Sequence, residues 1–152
     1  MQETNLSQQE ALKNKYPKIF EHAYPGVGNG WIQYLDVMCQ HLEWQTKHNG
    51  HPQVVASQVK EKFGGLRFYT NGVDEYQRGV IGLMETLSNS ICEECGSINN
   101  VIQTKGWIKT ICRPCLTKHR FLSQLEDLKW IPNRVSNSFR KFVKNVVHNN
   151  KT

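Results

Sequence analysis

Val54-Val55-Ala56-Ser57-Gln58-Val59-Lys60-Glu61-Lys62-Phe63-Gly64-Gly65-Leu66-Arg67-Phe68-Tyr69-Thr70 decides the fold, because it breaks the helical periodicity on either side of it. Val55, Ser57, Val59, Glu61 and Phe63 alternate with Ala56, Gln58, Lys60 and Lys62, the two-residue period of a strand. Gly64-Gly65 turns the chain, Leu66-Arg67-Phe68-Tyr69-Thr70 supplies a second strand, and Asn71-Gly72 ends the predicted β-hairpin. Lys60, Lys62 and Arg67 fall near the turn, interleaved with Phe63, Phe68 and Tyr69. Such a mixture can stack bases and grip phosphates. It equally fits a sheet with an aromatic core face and a solvated charged face.

Upstream of the hairpin the period is helical. Trp31, Leu35, Met38 and Leu42 form an i, i+4, i+7, i+11 stripe, predicting an amphipathic core helix over Trp31–His48 that Gly50 stops. Cys39 falls inside this pattern as a small core residue. His41, His48 and His51 gather near the end of the helix without a cysteine or adjacent carboxylate to complete a metal set, so they read as surface histidines. Before the helix, Tyr24-Pro25-Gly26-Val27-Gly28-Asn29-Gly30 reads as a loop, and it lacks the lysine and hydroxyl residue of a phosphate-binding loop. Ser7-x-x-Glu10 predicts a capping box for a first helix bearing Leu12, and Pro17 begins a further turn through Ile19 and Phe20.

Downstream, Asp74 caps a predicted helix to about Ser90, with Tyr76, Val80, Leu83, Met84 and Leu87 on its apolar face. That helix delivers the chain to Cys92-Glu93-Glu94-Cys95, and after sixteen intervening residues comes Cys112-Arg113-Pro114-Cys115. Two C-x-x-C pairs at this separation can close on one tetrahedral zinc ion, with thiolate sulfurs about 2.3 Å from the metal. Four thiolates leave no open position for water, which predicts a structural ion, not a catalytic one. Between the pairs, Val101-Ile102-Gln103 and Trp107-Ile108-Lys109-Thr110-Ile111 flank Thr104-Lys105-Gly106, so a β-hairpin is expected to join two knuckles as a zinc ribbon. Pro114 fits a tight turn there. Lys105, Trp107, Lys109 and Arg113 are its candidate contact residues.

After Cys115, Leu116, Phe121, Leu122, Leu125 and Leu128 predict another helix, interrupted near Trp130-Ile131-Pro132. A terminal helix then carries Val135, Phe139, Phe142, Val143, Val146 and Val147 on one face and Arg140, Lys141 and Lys144 on the other. The fold expectation is α+β: helices packed with a β-hairpin in residues 1–90, a four-cysteine zinc ribbon in 91–116, and helices with a basic tail in 117–152.

Composition narrows the function classes. The 152 residues suit one domain or a small domain with a module, and 38% hydrophobic with 21% charged residues describes a soluble globular chain. No apolar run approaches the ~20 residues of a membrane span, so no membrane partner is expected. The opening Met1-Gln2-Glu3-Thr4-Asn5-Leu6 lacks the basic and apolar parts of a secretory signal, which places the protein in the cytosol, where paired cysteines mean metal more often than disulfide. The net charge is +6, and residues 128–152 hold six bases and no acid, so the excess lies in the tail. No catalytic triad, H-E-x-x-H, Walker loop or dinucleotide fingerprint is present, and no clustered acids support nuclease chemistry. A zinc deaminase would need P-C-x-x-C and an upstream H-x-E, whereas here Pro114 lies inside the pair. The expectation is a protein without enzymatic activity.

The string Val59-Lys60-Glu61-Lys62-Phe63-Gly64-Gly65-Leu66-Arg67-Phe68-Tyr69, followed by a helix, Cys-x-x-Cys, Gly106-Trp107 and a second Cys-x-x-Cys, resembles a group of small, functionally uncharacterised bacteriophage and prophage proteins. The resemblance covers about Val59 to Cys115. It implies a small phage accessory protein that binds a host factor or nucleic acid, working in the host cytosol. Basic and aromatic residues favour nucleic acid as the partner. A protein-binding inhibitor or adaptor of host machinery, acting against defence or on transcription, is the alternative. A third reading is a nucleotide-sized ligand held near the double glycine by Lys60, Lys62, Arg67 and Tyr69.

Overall fold

The computed structural model describes residues 6–128, with side chains through Arg120. The terminal basic helix predicted to carry Arg140, Lys141 and Lys144 lies outside the described residues. Elements run α1 (Gln8–Lys15), β1 (Pro25–Gly26), α2 (Asn29–Asn49), β2 (Val55–Lys62), β3 (Gly65–Asn71), α3 (Glu75–Ser88), β4 (Val101–Gln103), β5 (Thr110–Cys112) and α4 (Arg113–Leu128). The expected α+β class holds, with one sheet ordered β1-β2-β3 and a two-stranded sheet β4-β5. By compactness the chain divides into one unit through Arg113 and another from Pro114.

Local chemistry starts and stops the first helices as the sequence predicts. Ser7 and Glu10 form a reciprocal capping box at α1, and Gly50 ends α2 in the left-handed conformation at φ 73°. The α2 stripe of Trp31, Leu35, Met38 and Leu42 is buried, as is Cys39, whose thiol burial pushes well above the ordinary cysteine range. Ile19 and Phe20 are also fully buried, and Phe20 meets Phe68 edge to face at 6.2 Å. The Ile19 carbonyl accepts from Ala56 N at 2.7 Å, so the turn after Pro17 closes the start of β2.

The β2–β3 hairpin forms at the expected place, but its alternation differs. A bulge between Ala56 and Gln58 puts two residues of β2 against one of β3. Ala56 and Val59 consequently both face the core with Leu66 and Phe68, whereas strict alternation sets Ala56 and Val59 on opposite faces. Phe63 is also displaced from the strand pattern. It sits in the turn at φ 52° and is 69% exposed.

The buried face of α3 is likewise rotated from the expected one. Gln77, Ile81, Met84 and Ser88 are buried, with Val80 partly so, while Tyr76, Leu83 and Leu87 are exposed. Hydrogen bonds explain the rotation, because α3 closes the free edge of β3. Ser88 Oγ accepts from Leu66 N at 2.9 Å, and Glu85 Oε1 accepts from Phe68 N at 2.7 Å. Gln77 Nε2 adds a bond to Pro52 O at 2.6 Å, and its backbone N–H completes the Asp74 cap. Ser88→Ala is expected to strand the buried Leu66 N–H and lower stability by about 1–3 kcal/mol in urea unfolding. A change below about 0.5 kcal/mol would contradict that role.

Candidate metal centre and the adjoining basic face

The four cysteines are delivered by three different local structures. Cys92 and Cys95 sit on a short turn after α3, Cys112 closes β5, and Cys115 lies in the first turn of α4. In the second pair Arg113 and Pro114 are helical, so the tight turn expected around Pro114 is a helix start, where proline loses no hydrogen bond. In the first pair, Gly96 at φ 76° bends the backbone so that its N–H reaches Cys92 O at 2.9 Å, while Cys92 N donates to Ser97 O at 2.8 Å.

The four sulfurs all lie within 4.8 Å of one another, and Cys95 Sγ is 3.7 Å from Cys112 Sγ. Tetrahedral bonds of ~2.3 Å require sulfur–sulfur spacings of about 3.8 Å, so the donor set fits zinc in size as well as chemistry. Burial pushes the Cys92 thiol up, but backbone N–H donors from Cys112, Cys95 and Glu94 outweigh it and hold the thiol below its ordinary range. That bias favours the thiolate that a metal needs. Among the described residues, this is the set of His, Cys, Asp or Glu side chains close enough to hold an ion.

The knuckle is seated on Gly28 and Gly30 at the start of α2, a role the sequence reading did not assign. Gly30 N donates to Glu93 O at 2.8 Å, and a Cβ at Gly30 would collide with Cys92 O and Gly96 N and lie 2.7 Å from Cys95 N. Gly28 likewise leaves room for Glu93. Beside them, Trp31 Nε1 donates to Ile91 O at 2.9 Å and Tyr34 OH to Gly96 O at 2.8 Å. The available signal was three glycines at alternate positions directly before a helix; its meaning needed the distant knuckle.

β4 and β5 form the expected hairpin, but its second strand is Thr110–Cys112 and not Trp107–Ile111, with Val101 opposite Cys112 and Gln103 opposite Thr110. Thr110, Ile111 and Cys112 are buried, and Thr110 Oγ1 donates to Gly64 O at 2.5 Å. The ribbon therefore meets the turn of the β2–β3 hairpin. Glu93 at this junction has its carboxyl raised by burial, partly offset by the Gly28 N–H.

The hairpin brings its predicted basic residues onto one face. Lys60 lies directly opposite Arg67, Lys62 follows two positions on, and Lys60 Nζ stands 5.7 Å from the Tyr69 ring, which is 42% exposed. Lys62 Nζ stands 5.5 Å from the Phe63 ring. On the ribbon, Lys105 and Arg113 are exposed and Trp107 is 79% exposed, whereas Lys109 reaches Glu94 Oε1 at 3.5 Å. Lys109 thus directs its charge into the ribbon itself.

The histidines are more engaged than their surface reading implied. His51 Nδ1 lies 2.6 Å from Asp74 Oδ2, its ring stacks on Tyr76 at 4.9 Å, and His41 Nε2 lies 2.7 Å from Tyr76 OH. Asp74, which also accepts from Gln77 N, has its carboxyl held below the usual range by that bond first and by His51 second. The group ties the end of α2 to the start of α3. Among the described residues, no helix is long and apolar enough to cross a membrane. No family model matches this chain, and neither a curated protein nor a solved structure matches it.

Proposed function

We propose that this chain is a zinc-stabilised, non-enzymatic protein that binds single-stranded nucleic acid, and that it is an accessory protein of phage or prophage origin. One observation carries the reading: Lys60, Arg67, Lys62 and Tyr69 share one face of the hairpin, three cations on the same face as a half-exposed aromatic ring beside which Lys60 stands. Cations of this kind neutralise phosphates, and a ring among them stacks bases without regard to sequence. Phe63 and Trp107 extend the same chemistry to where the Gly64 turn meets the ribbon. The zinc ion, held by Cys92, Cys95, Cys112 and Cys115, keeps that ribbon in place and takes no part in chemistry.

Fluorescence anisotropy with a labelled single-stranded oligonucleotide tests this across a salt series. Lys60→Ala/Lys62→Ala is expected to weaken binding and reduce the log–log salt slope by about 0.7 for each phosphate no longer neutralised. Tyr69→Ala is expected to cost about 1–3 kcal/mol at every salt concentration. Passage through heparin at low salt without retention, together with no binding of DNA or RNA, overturns the reading.

A second reading rests on a different surface. Leu83 and Leu87 are 61% and 48% exposed on α3, which suits a protein partner such as a host factor bound by an inhibitor or adaptor. Capture from nuclease-treated lysate that depends on Leu83 and Leu87, and not on Lys60 and Lys62, supports that reading against the first.

A further inference from the structure

Along its outer edge β3 presents backbone groups at every second residue, and α3 answers them in a regular series. Phe63 and Gly64 make a two-residue hairpin turn, so Lys62 and Gly65 bond each other, and the alternate residues Leu66 and Phe68 turn their N–H and C=O groups away from β2. Ser88 accepts from Leu66 N, and three residues back along the helix Glu85 accepts from Phe68 N. The bulge keeps this phase through Thr70, because Ala56, its partner across the hairpin, gives its N–H to Ile19 O and not to β3. The Thr70 N–H and C=O therefore lie on the same edge as those of Leu66 and Phe68.

Three residues further back along α3 the series reaches Gly82, which has no side chain to accept a bond. Gly82 and Thr70 both line a cleft of about 440 Å³ that opens between the two elements beyond the Glu85–Phe68 bond. Among the described residues nothing accepts from Thr70 N or donates to the Phe68 and Thr70 carbonyls. A Cβ at Gly82 would meet nothing within 4 Å, so packing does not demand a residue that is so unfavourable inside a helix. Its effect is to leave this length of strand edge open.

Alternating unpaired donors and acceptors on a strand edge complement the backbone of another extended chain. From Phe68 to Gly72 the edge runs about 13 Å at ~3.3 Å per residue, room for about three or four residues. Charge narrows the choice further. Glu85 is committed to Phe68 N, while the exposed Arg78 side chain, on the helix side, has no ion pair or hydrogen bond among the described residues.

We propose that the cleft between β3 and α3 takes an extended, acidic peptide segment of a partner protein, its carbonyl accepting the Thr70 N–H and its own N–H groups serving the Phe68 and Thr70 carbonyls. This inference goes beyond the nucleic-acid reading and stands without it, since the open edge is separate from Lys60 and Lys62 and from the outward Leu83 and Leu87.

Selection of a random nonapeptide library on the full chain, followed by calorimetric titration of the recovered peptides, tests the proposal. Gly82→Gln restores an acceptor to the series and fills the open space, and is expected to fold with a raised melting temperature. Peptides enriched in aspartate and glutamate are expected, bound at least about tenfold more weakly by Gly82→Gln and equally well by Lys60→Ala/Lys62→Ala. Methylation of alternate peptide amides is expected to abolish binding and methylation of the intervening ones to spare it, a test of strand pairing that leaves the protein unaltered. Recovery of no peptide, absence of acidic enrichment, indifference to Gly82→Gln, or indifference to amide methylation overturns the proposal. So does self-association of the chain, or oligonucleotide binding, that Gly82→Gln abolishes, because a second copy or a nucleic acid would then be the occupant. Loss of oligonucleotide binding in Lys60→Ala/Lys62→Ala bears only on the basic face.

Discussion

Cys112→Ser is expected to release zinc and unfold the ribbon, with a large drop in melting temperature. The physical reason is a mismatch of scales. Structural zinc sites in isolated finger peptides bind with about 10–16 kcal/mol of apparent free energy, whereas a whole domain is stable by about 5–15 kcal/mol. The β4–β5 hairpin has three residues per strand and little apolar area to replace the ion. The damage should spread beyond the ribbon, because Thr110 bonds Gly64 O and Glu93 O accepts from Gly30 N. Zinc content by atomic emission, with melting followed by near-ultraviolet circular dichroism, measures both effects. One ion per chain in the wild type and a loss in Cys112→Ser are expected. Unchanged zinc content with unchanged melting would refute the centre.

Gly30→Ala is expected to be nearly as damaging, and here propensity and packing predict opposite signs. Alanine in a helix is favoured over glycine by about 1 kcal/mol, so Gly30→Ala at the start of α2 would ordinarily stabilise. Tertiary packing reverses this, since the new methyl would collide with Cys92 O and Gly96 N, backbone atoms of the knuckle. The knuckle must move, losing the 2.8 Å Gly30–Glu93 bond and disturbing the cysteine geometry. A loss of more than about 3 kcal/mol is expected, beyond the usual cost of overpacking. Gly79→Ala is the control: it lies on α3 with nothing within 4 Å of its Cβ and is expected to gain about 0.5–1 kcal/mol. Chemical denaturation of both variants checks the pair. Parallel shifts would mean that the knuckle does not rest on Gly30.

The two variants also separate what was legible along the chain from what was not. The capping box at Ser7, the cap at Asp74, the Gly50 stop and the α2 stripe are local, because each depends on residues within a few positions of one another. The cysteine set is legible for a related reason: the two-residue gaps and thiolate chemistry restrict the outcome almost regardless of surroundings. The bulge after Ala56 was not legible. One extra residue in a strand leaves composition and propensity unchanged, and its location follows from the Ile19 carbonyl meeting Ala56 N. The face of α3 was misjudged because apolarity alone favours Leu83 and Leu87. The helix instead turns Ser88 and Glu85 toward a strand edge whose N–H groups need acceptors.

By itself, then, the amino-acid sequence determined the α+β class, the hairpin with its basic and aromatic residues, and four cysteines suited to zinc. Each rests on periodicity, turn chemistry or ligand spacing, which act over short stretches of chain. Only the tertiary structure decided that Gly28 and Gly30, at the start of α2, are the seat of the knuckle, and that Lys109 is paired while Lys60, Lys62 and Arg67 share a face. Those relations join residues far apart in sequence, and close packing with hydrogen-bond satisfaction selects them only once the whole chain has folded.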